Sequence, residues 1–164
     1  MKDKHAEDLQ TLQKMTDDLR FCMITTIAED GGLRSRPMTN QRLDDDGCLW
    51  FFTSTESELA EDIAARPDVN VAFSKPDDNT WVSVSGRATQ VEDRAKIKEL
   101  WNPMVEAWFP DGPDDPKVEL IRVDAHDAEY WDADSTKMVR LFKMAAAYFS
   151  GKPPDMGEHG TIKM

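Results

Sequence analysis

The stretch LRSRPMTNQRL, residues 33–43, decides how the rest of the chain is read. It lies between two apolar, β-branched runs, RFCMITTIA at residues 20–28 and CLWFFTS at residues 48–54. EDGG separates it from the first and DDDG from the second. Tetrads of Gly and acidic residues are turns, so three strands should follow one another through short connections, as an antiparallel meander. Arg34 and Arg36 are two positions apart and would share one face of a regular strand. Pro37 cannot donate to a ladder, so it marks an edge, a bulge or a place where a ligand comes close.

Working outward, Leu9, Leu12, Met15 and Leu19 have the spacing of one helix face over residues 4–19. After the third strand, TESELAEDIAARP predicts a helix that ends before Pro67, with Thr55 and Glu58 spaced as a capping box. VNVAFSK and TWVSVSGRATQVE read as strands across a PDDN turn, the second with Val82 and Val84 on one face. DRAKIKELW reads as a helix and residues 102–116 as a proline-rich connector with two aromatics. KVELIRVD and AEYWDA read as two further strands. Residues 135–154 predict a last helix with Met138, Leu141, Phe142, Ala145 and Phe149 on one side, and residues 155–164 a loose tail. Short turns with helices at intervals do not suggest alternating βαβ units. The expected fold is mainly β with flanking helices, an antiparallel sheet curled into a small barrel. Residues 1–150 would form this single domain and residues 151–164 a flexible end.

The chain has 164 residues, with 20 basic and 32 acidic side chains and a net charge of −12. That balance argues against a nucleic-acid partner, because the phosphate backbone would be repelled. No apolar run approaches a membrane span and the first residues carry no signal-like core, so a cytoplasmic protein without membrane contact is expected. Cys22 and Cys48 read as small core residues rather than a disulfide or a catalytic thiol. His5, His126 and His159 lack metal-ligand spacing, and no metal site is expected. Asp44, Asp45 and Asp46 before Gly47 read as turn chemistry, not a calcium loop. Glycine-rich phosphate loops are absent.

What remains is the opening stretch and its surroundings. The third strand ends in FFTSTES, two aromatics, then hydroxyls, then a helix start. A helix N-terminus favours a phosphate, an arginine adds a bidentate contact, and Phe51, Phe52, Trp81 and Trp131 offer flat apolar walls. One reading is therefore a pocket for a phosphorylated aromatic ligand. The other is surface arginines and plain core.

RPMTNQ, LWFFTS, SELAEDI, VNVAFSK, WVSVSGRATQVEDRAKIKELW and AEYWD occur in the order of the pyridoxamine 5'-phosphate oxidase-like family, and the chain resembles its bacterial general stress protein subgroup over roughly residues 5–133. The resemblance implies a split β-barrel that forms a homodimer, with FMN sites at the interface. It places Arg36 on the flavin phosphate, Pro37, Met38 and Thr39 beside the ring, and Gln41 at a polar position nearby. Phe52, Thr53, Ser54 and Ser57 match the end of the third strand and the phosphate-binding helix start, and Trp131 a residue that approaches the flavin from the partner chain. It implies a flavin-dependent oxidoreductase of unknown substrate, related to stress, with no acid or base identified. A non-catalytic flavin-binding protein, or a barrel that has lost its cofactor, are the alternatives. Three departures stand out. A family lysine falls at Leu59, with Glu58 beside it, so weaker FMN binding or a preference for FAD is expected. Trp81 stands where the oxidases carry a glutamine. The basic residues that hold pyridoxal phosphate are not evident in DADSTKMVRL, so oxidation of vitamin B6 is not expected.

Overall fold

A computed structural model of the chain describes residues 2–17, 19–132 and 158–163. The elements run α1 (Lys2–Asp17), β1 (Phe21–Ile27), β2 (Leu33–Thr39), β3 (Arg42–Leu43), β4 (Cys48–Ser54), α2 (Glu58–Ala65) and β5 (Asp68–Lys75). They continue with β6 (Thr80–Val91), α3 (Arg94–Leu100), α4 (Pro103–Trp108), β7 (Val118–Asp132) and β8 (Glu158–Lys163). The order across the sheet is β2-β1-β5-β6-β7-β4-β3, with β8 added on β7, and every pairing is antiparallel.

The expected three-strand meander is split in its middle strand. β2 pairs only with β1, at one end of the sheet order, and β3 pairs with β4 at the other. The change of partner occurs between consecutive residues. The Asn40 amide donates to the Arg20 carbonyl at 2.8 Å, and the Gln41 amide donates to the Trp50 carbonyl at 2.9 Å. Chain continuity therefore joins the two ends of the sheet where no ladder does, which makes the barrel a split one. Pro37, opposite Met23, lies on the unladdered side of β2, where its missing donor costs nothing.

The two strands expected at residues 117–133 are one. β7 pairs with β6 along its length, with β4 through its first half and with β8 through its second. A register shift at Ser85/Gly86 absorbs the irregularity. A Cβ on Gly86 would lie 2.4 Å from the Asp124 carbonyl oxygen, so only glycine fits where the two backbones approach.

The barrel interior holds Ile24, Phe51, Val71, Phe73, Val84 and Val123, with Leu9 and Leu12 of α1 and Leu59 and Ile63 of α2 packed into it. A second cluster lies outside β4, where Trp50, Phe52 and Leu120 pack against Ile97 of α3 and Val105 of α4. Phe52 meets Trp101 edge-on at 5.7 Å, and the Lys96 ammonium sits 5.1 Å from the centre of the Trp50 ring. β4 is thus buried on both faces.

Local chemistry sets the ends of the elements. Asp44 Oδ1 accepts from the amides of Asp46 and Cys48 at 3.1 and 2.9 Å, and its Oδ2 accepts from Trp50 Nε1 at 2.9 Å. Gly47 takes φ +80°, so the acidic turn is indeed turn chemistry. The cap of α2 is Ser57, not Thr55. Thr55 instead extends the sheet, its amide donating to the Lys117 carbonyl, and Ser57 Oγ accepts from the Ala60 amide at 3.1 Å. α4 falls in the stretch read as a connector. Asn102 Oδ1 accepts from the Met104 and Val105 amides, with Pro103 at the first helical position. Residues 158–163, read as part of a loose tail, form β8 on β7. The helix expected at residues 135–154 lies outside the described residues.

Candidate functional site

Where the chain passes from β2 to β3, a cleft of about 520 Å³ opens beside the joined ends of the sheet. One wall is Pro37, Met38, Thr39 and Gln41. The floor is Phe52, Thr53 and Ser54 of β4. The remaining wall is Met104, Val105, Trp108 and Phe109 of α4 and its C-terminal end, with Phe21 of β1 at the edge. The lining is mostly apolar with a few hydroxyl and amide groups, which is the usual make-up of a small-molecule site, and its volume is within the usual range. None of these lining residues is titratable.

Seven of the ten residues expected at a cofactor site meet in this cleft. Two more, Arg36 and Ser57, lie next to it. Thr53 and Ser57 share a hydroxyl–hydroxyl hydrogen bond of 2.9 Å, so the floor of the cleft leads into the start of α2. Arg36 faces the same place from β2. Its Nη1 donates to Thr26 Oγ1 at 2.8 Å and its Nη2 to Asp62 Oδ2 at 3.0 Å, while Thr26 also donates to Asp62 at 2.8 Å. Burial pushes the Asp62 carboxyl up, but the Thr26 and Arg36 hydrogen bonds and the charges of Arg36 and Arg34 outweigh it and hold the carboxyl below its usual range. Arg34 shares the face, as its spacing predicts, and its Nη1 lies 3.7 Å from Glu58 Oε2. The same oxygen is 3.9 Å from Arg36 Nη2.

The tenth residue, Trp131, is not in the cleft of its own chain. It pairs with Trp81 across β6 and β7 and stacks on His159 at 5.1 Å, on the exposed outer face of the sheet. Phe51, named with Phe52 as a flat wall, points into the barrel and is fully buried, because neighbouring residues of a strand face opposite ways. Trp81 is likewise outside the cleft. Leu59, where the resemblance places a family lysine, is 3% exposed and part of the barrel core. The first-turn side chain that faces the arginines is Glu58.

Gln41 lines the cleft but is also a strut. Its Nε2 donates to the Thr39 carbonyl at 3.0 Å, and its Oε1 accepts from Asn102 Nδ2 at 2.8 Å. Its side chain therefore ties the N-terminus of α4 to the β2–β3 joint and holds Met104 and Val105 in the wall. Sequence reading missed Phe21, Met104, Val105, Trp108 and Phe109. Asn102-Pro103, a cap followed by a first-turn proline, was the available signal for α4. The thiols are poor nucleophiles. Burial pushes Cys22 up to about 12, and burial with the Asp124 hydrogen bond pushes Cys48 up to about 11. Among the described residues no group of His, Cys, Asp and Glu is arranged to hold a metal ion, and no helix is long and apolar enough to cross a membrane.

The chain is 34% identical over 162 residues to Protein bli-3 of Neurospora crassa, covering 92% of this chain and 76% of that one. It is 28% identical over 135 residues to General stress protein 26 of Bacillus subtilis, covering 79% of this chain and 94% of that one. The crystal structure of the general stress FMN/FAD binding protein from Xanthomonas citri superposes with a TM-score of 0.68 at 34% identity, covering 79% of this chain and 92% of the other. The split barrel is shared with these structural neighbours. The model of the family described as pyridoxamine 5'-phosphate oxidase like matches residues 7–155, and with the barrel and cleft in place the chain belongs to that family.

Proposed function

We propose that the cleft binds FMN, with FAD the alternative, and that the protein is a flavin-dependent oxidoreductase with a stress-related role. The observation that carries this is an apolar, partly aromatic cleft whose floor residue Thr53 hydrogen-bonds to Ser57 at the start of α2, where Arg36 also stands near Glu58. An isoalloxazine ring is flat and apolar on its faces and polar at its edge. Phe52, Met38 and Val105 suit the faces, and Thr39, Thr53 and Ser54 suit polar atoms. The phosphate would lie at the start of α2, where Ser57, the helix dipole and Arg36 favour an anion.

Bound flavin would supply the two-electron redox chemistry. The chain's own residues orient it and exclude water. α4 covers one side through the Gln41–Asn102 tie, and the β2 backbone covers the other. A homodimer is part of this reading. The outer face of the sheet carries exposed Phe21, Met23, Trp81 and Trp131, which suits a second copy, and the family resemblance assigns Trp131 to the partner's flavin site.

The test is the visible spectrum of the purified protein, followed by titration with FMN and FAD. Micromolar binding, about −8 kcal/mol, is the expected result. Arg36→Ala should weaken FMN at least tenfold, and an unchanged dissociation constant would remove Arg36 from the site. A colourless protein that takes up neither flavin would defeat the reading. The absence of a titratable side chain among the lining residues favours a second reading, a flavin-binding protein without turnover. Bound flavin that neither NADH nor NADPH reduces, nor any other candidate reductant, would select it.

A further inference from the structure

The two arginines beside the cleft are balanced by two carboxylates, and the two carboxylates are not alike. Asp62 belongs to the framework. It is in the second turn of α2, its side chain is 11% exposed, and it accepts hydrogen bonds from Thr26 and Arg36 at 2.8 and 3.0 Å. Removing it from the arginine would break a closed triangle of hydrogen bonds. Glu58 belongs to the surface. Its side chain is 74% exposed, and one oxygen lies between the two guanidinium groups, 3.7 Å from Arg34 and 3.9 Å from Arg36, beyond hydrogen-bond length. It is the first residue of α2, where a negative charge is favoured by the helix dipole. An anionic ligand at this helix start would meet the same dipole and the same guanidinium groups.

We propose that Glu58 is a built-in competitor for the anion subsite: its carboxylate holds Arg34 and Arg36 until the phosphate of a ligand displaces it. This rests on the flavin reading given above and adds what governs affinity at its phosphate end. Asp62 stays and keeps Arg36 oriented. Glu58 swings out, since long exposed ion pairs contribute little and are easily exchanged for water. The ligand must then outbid one carboxylate with a doubly charged group and must tolerate that carboxylate nearby. The chain thus selects against weakly charged anions, and affinity for a phosphate monoester is kept moderate.

The experiment compares the parent protein with Glu58→Gln and Glu58→Lys by calorimetric titration with FMN and with riboflavin, which has the ring but no phosphate. Glu58→Gln should bind FMN about tenfold more tightly, equivalent to about 1.4 kcal/mol, and Glu58→Lys at least as tightly as that. Riboflavin affinity should be the same in all three. FMN affinity unchanged or weaker in Glu58→Gln, with riboflavin still bound, overturns the competitor and leaves the flavin reading standing. Should none of the three bind either flavin, the flavin reading falls and inorganic pyrophosphate becomes the probe. A larger rise in melting temperature with pyrophosphate in Glu58→Gln than in the parent supports the competitor at an anion site of another kind, and equal rises overturn it.

Discussion

β4 and β1 are both seven-residue strands of the same barrel, yet one is buried on both faces and the other on one. Outside β4 lie α3 and α4, which cover Trp50 and Phe52. The outward residues of β1 are exposed or half-buried, and Phe21, at the edge of the cleft, is 69% exposed. The inward sides are equivalent, since Ile24 and Phe51 meet in one core. The difference lies in what each strand was given to face outward. On the covered side the outer residues are satisfied within the chain. On the open side, Met23, Ala72 and Ser83 follow one another across the register, with Trp81 and Trp131 further along. Exposed Phe21, Met23, Trp81 and Trp131, set among polar residues such as Ser83 and Glu129, make this face suited to another molecule. The cleft lies where the two regimes meet, with Phe52 from the covered side and Phe21 from the open one.

The sharpest way to test this contrast is to truncate each side. Phe51→Ala, with no exposed surface to relax into, should cost about 3–5 kcal/mol in urea unfolding, the range for large-to-small core changes. Asp62→Asn, at the boundary, should cost about 2 kcal/mol, because Arg36 and Thr26 lose a charged acceptor. That cost should depend on pH. The folded Asp62 carboxyl is held below its usual range, so its contribution is present above the unfolded value of about 3.9 and is lost as pH falls through the folded value. The stability curves of Asp62→Asn and the parent should therefore converge in acid, and a constant gap would place the effect in packing instead. On the open face, Met23→Glu should change the stability of the isolated chain by no more than about 0.5 kcal/mol. If the chain forms the homodimer proposed above, the parent should sediment as a dimer and Met23→Glu as a monomer; a parent that is monomeric overturns the homodimer, and a dimer that survives the change moves its interface elsewhere.

The fold was largely legible in the sequence because its strands alternate or run apolar between strong turns. The Gly- and Asp-rich turns, the run of β4 and the valines of β6 all led to a barrel. What escaped was non-local. Nothing in NQRL says that Asn40 and Gln41 bond to opposite neighbours, since both partners, Arg20 and Trp50, belong to other strands. β7 read as two strands because its continuity depends on a glycine in β6. The cap of α2 was misplaced by two residues because Thr55 had a competing use in the sheet. The candidate site was legible where it is built from consecutive residues, Pro37 to Gln41 and Phe52 to Ser54. It was not where α4 supplies the wall, because a six-residue helix has too few turns for a periodic pattern. Glu58 could be seen as a difficulty but not as a neighbour of Arg34, which is a fact of the tertiary structure.

The change of partner at Asn40 and Gln41 has a consequence for insertions and deletions. Most surface connections absorb an added residue with little effect. This one has no slack, because the residues on either side of the joint are registered against different strands. One extra residue here would turn the β3 pair over, sending Leu43 outward and Arg42 into the core, or would shift β2 by the same step and put Pro37 where Arg36 stands. Descendants of this chain should therefore vary in length at the EDGG and DDDG turns, and keep a constant number of residues between Arg36 and Leu43.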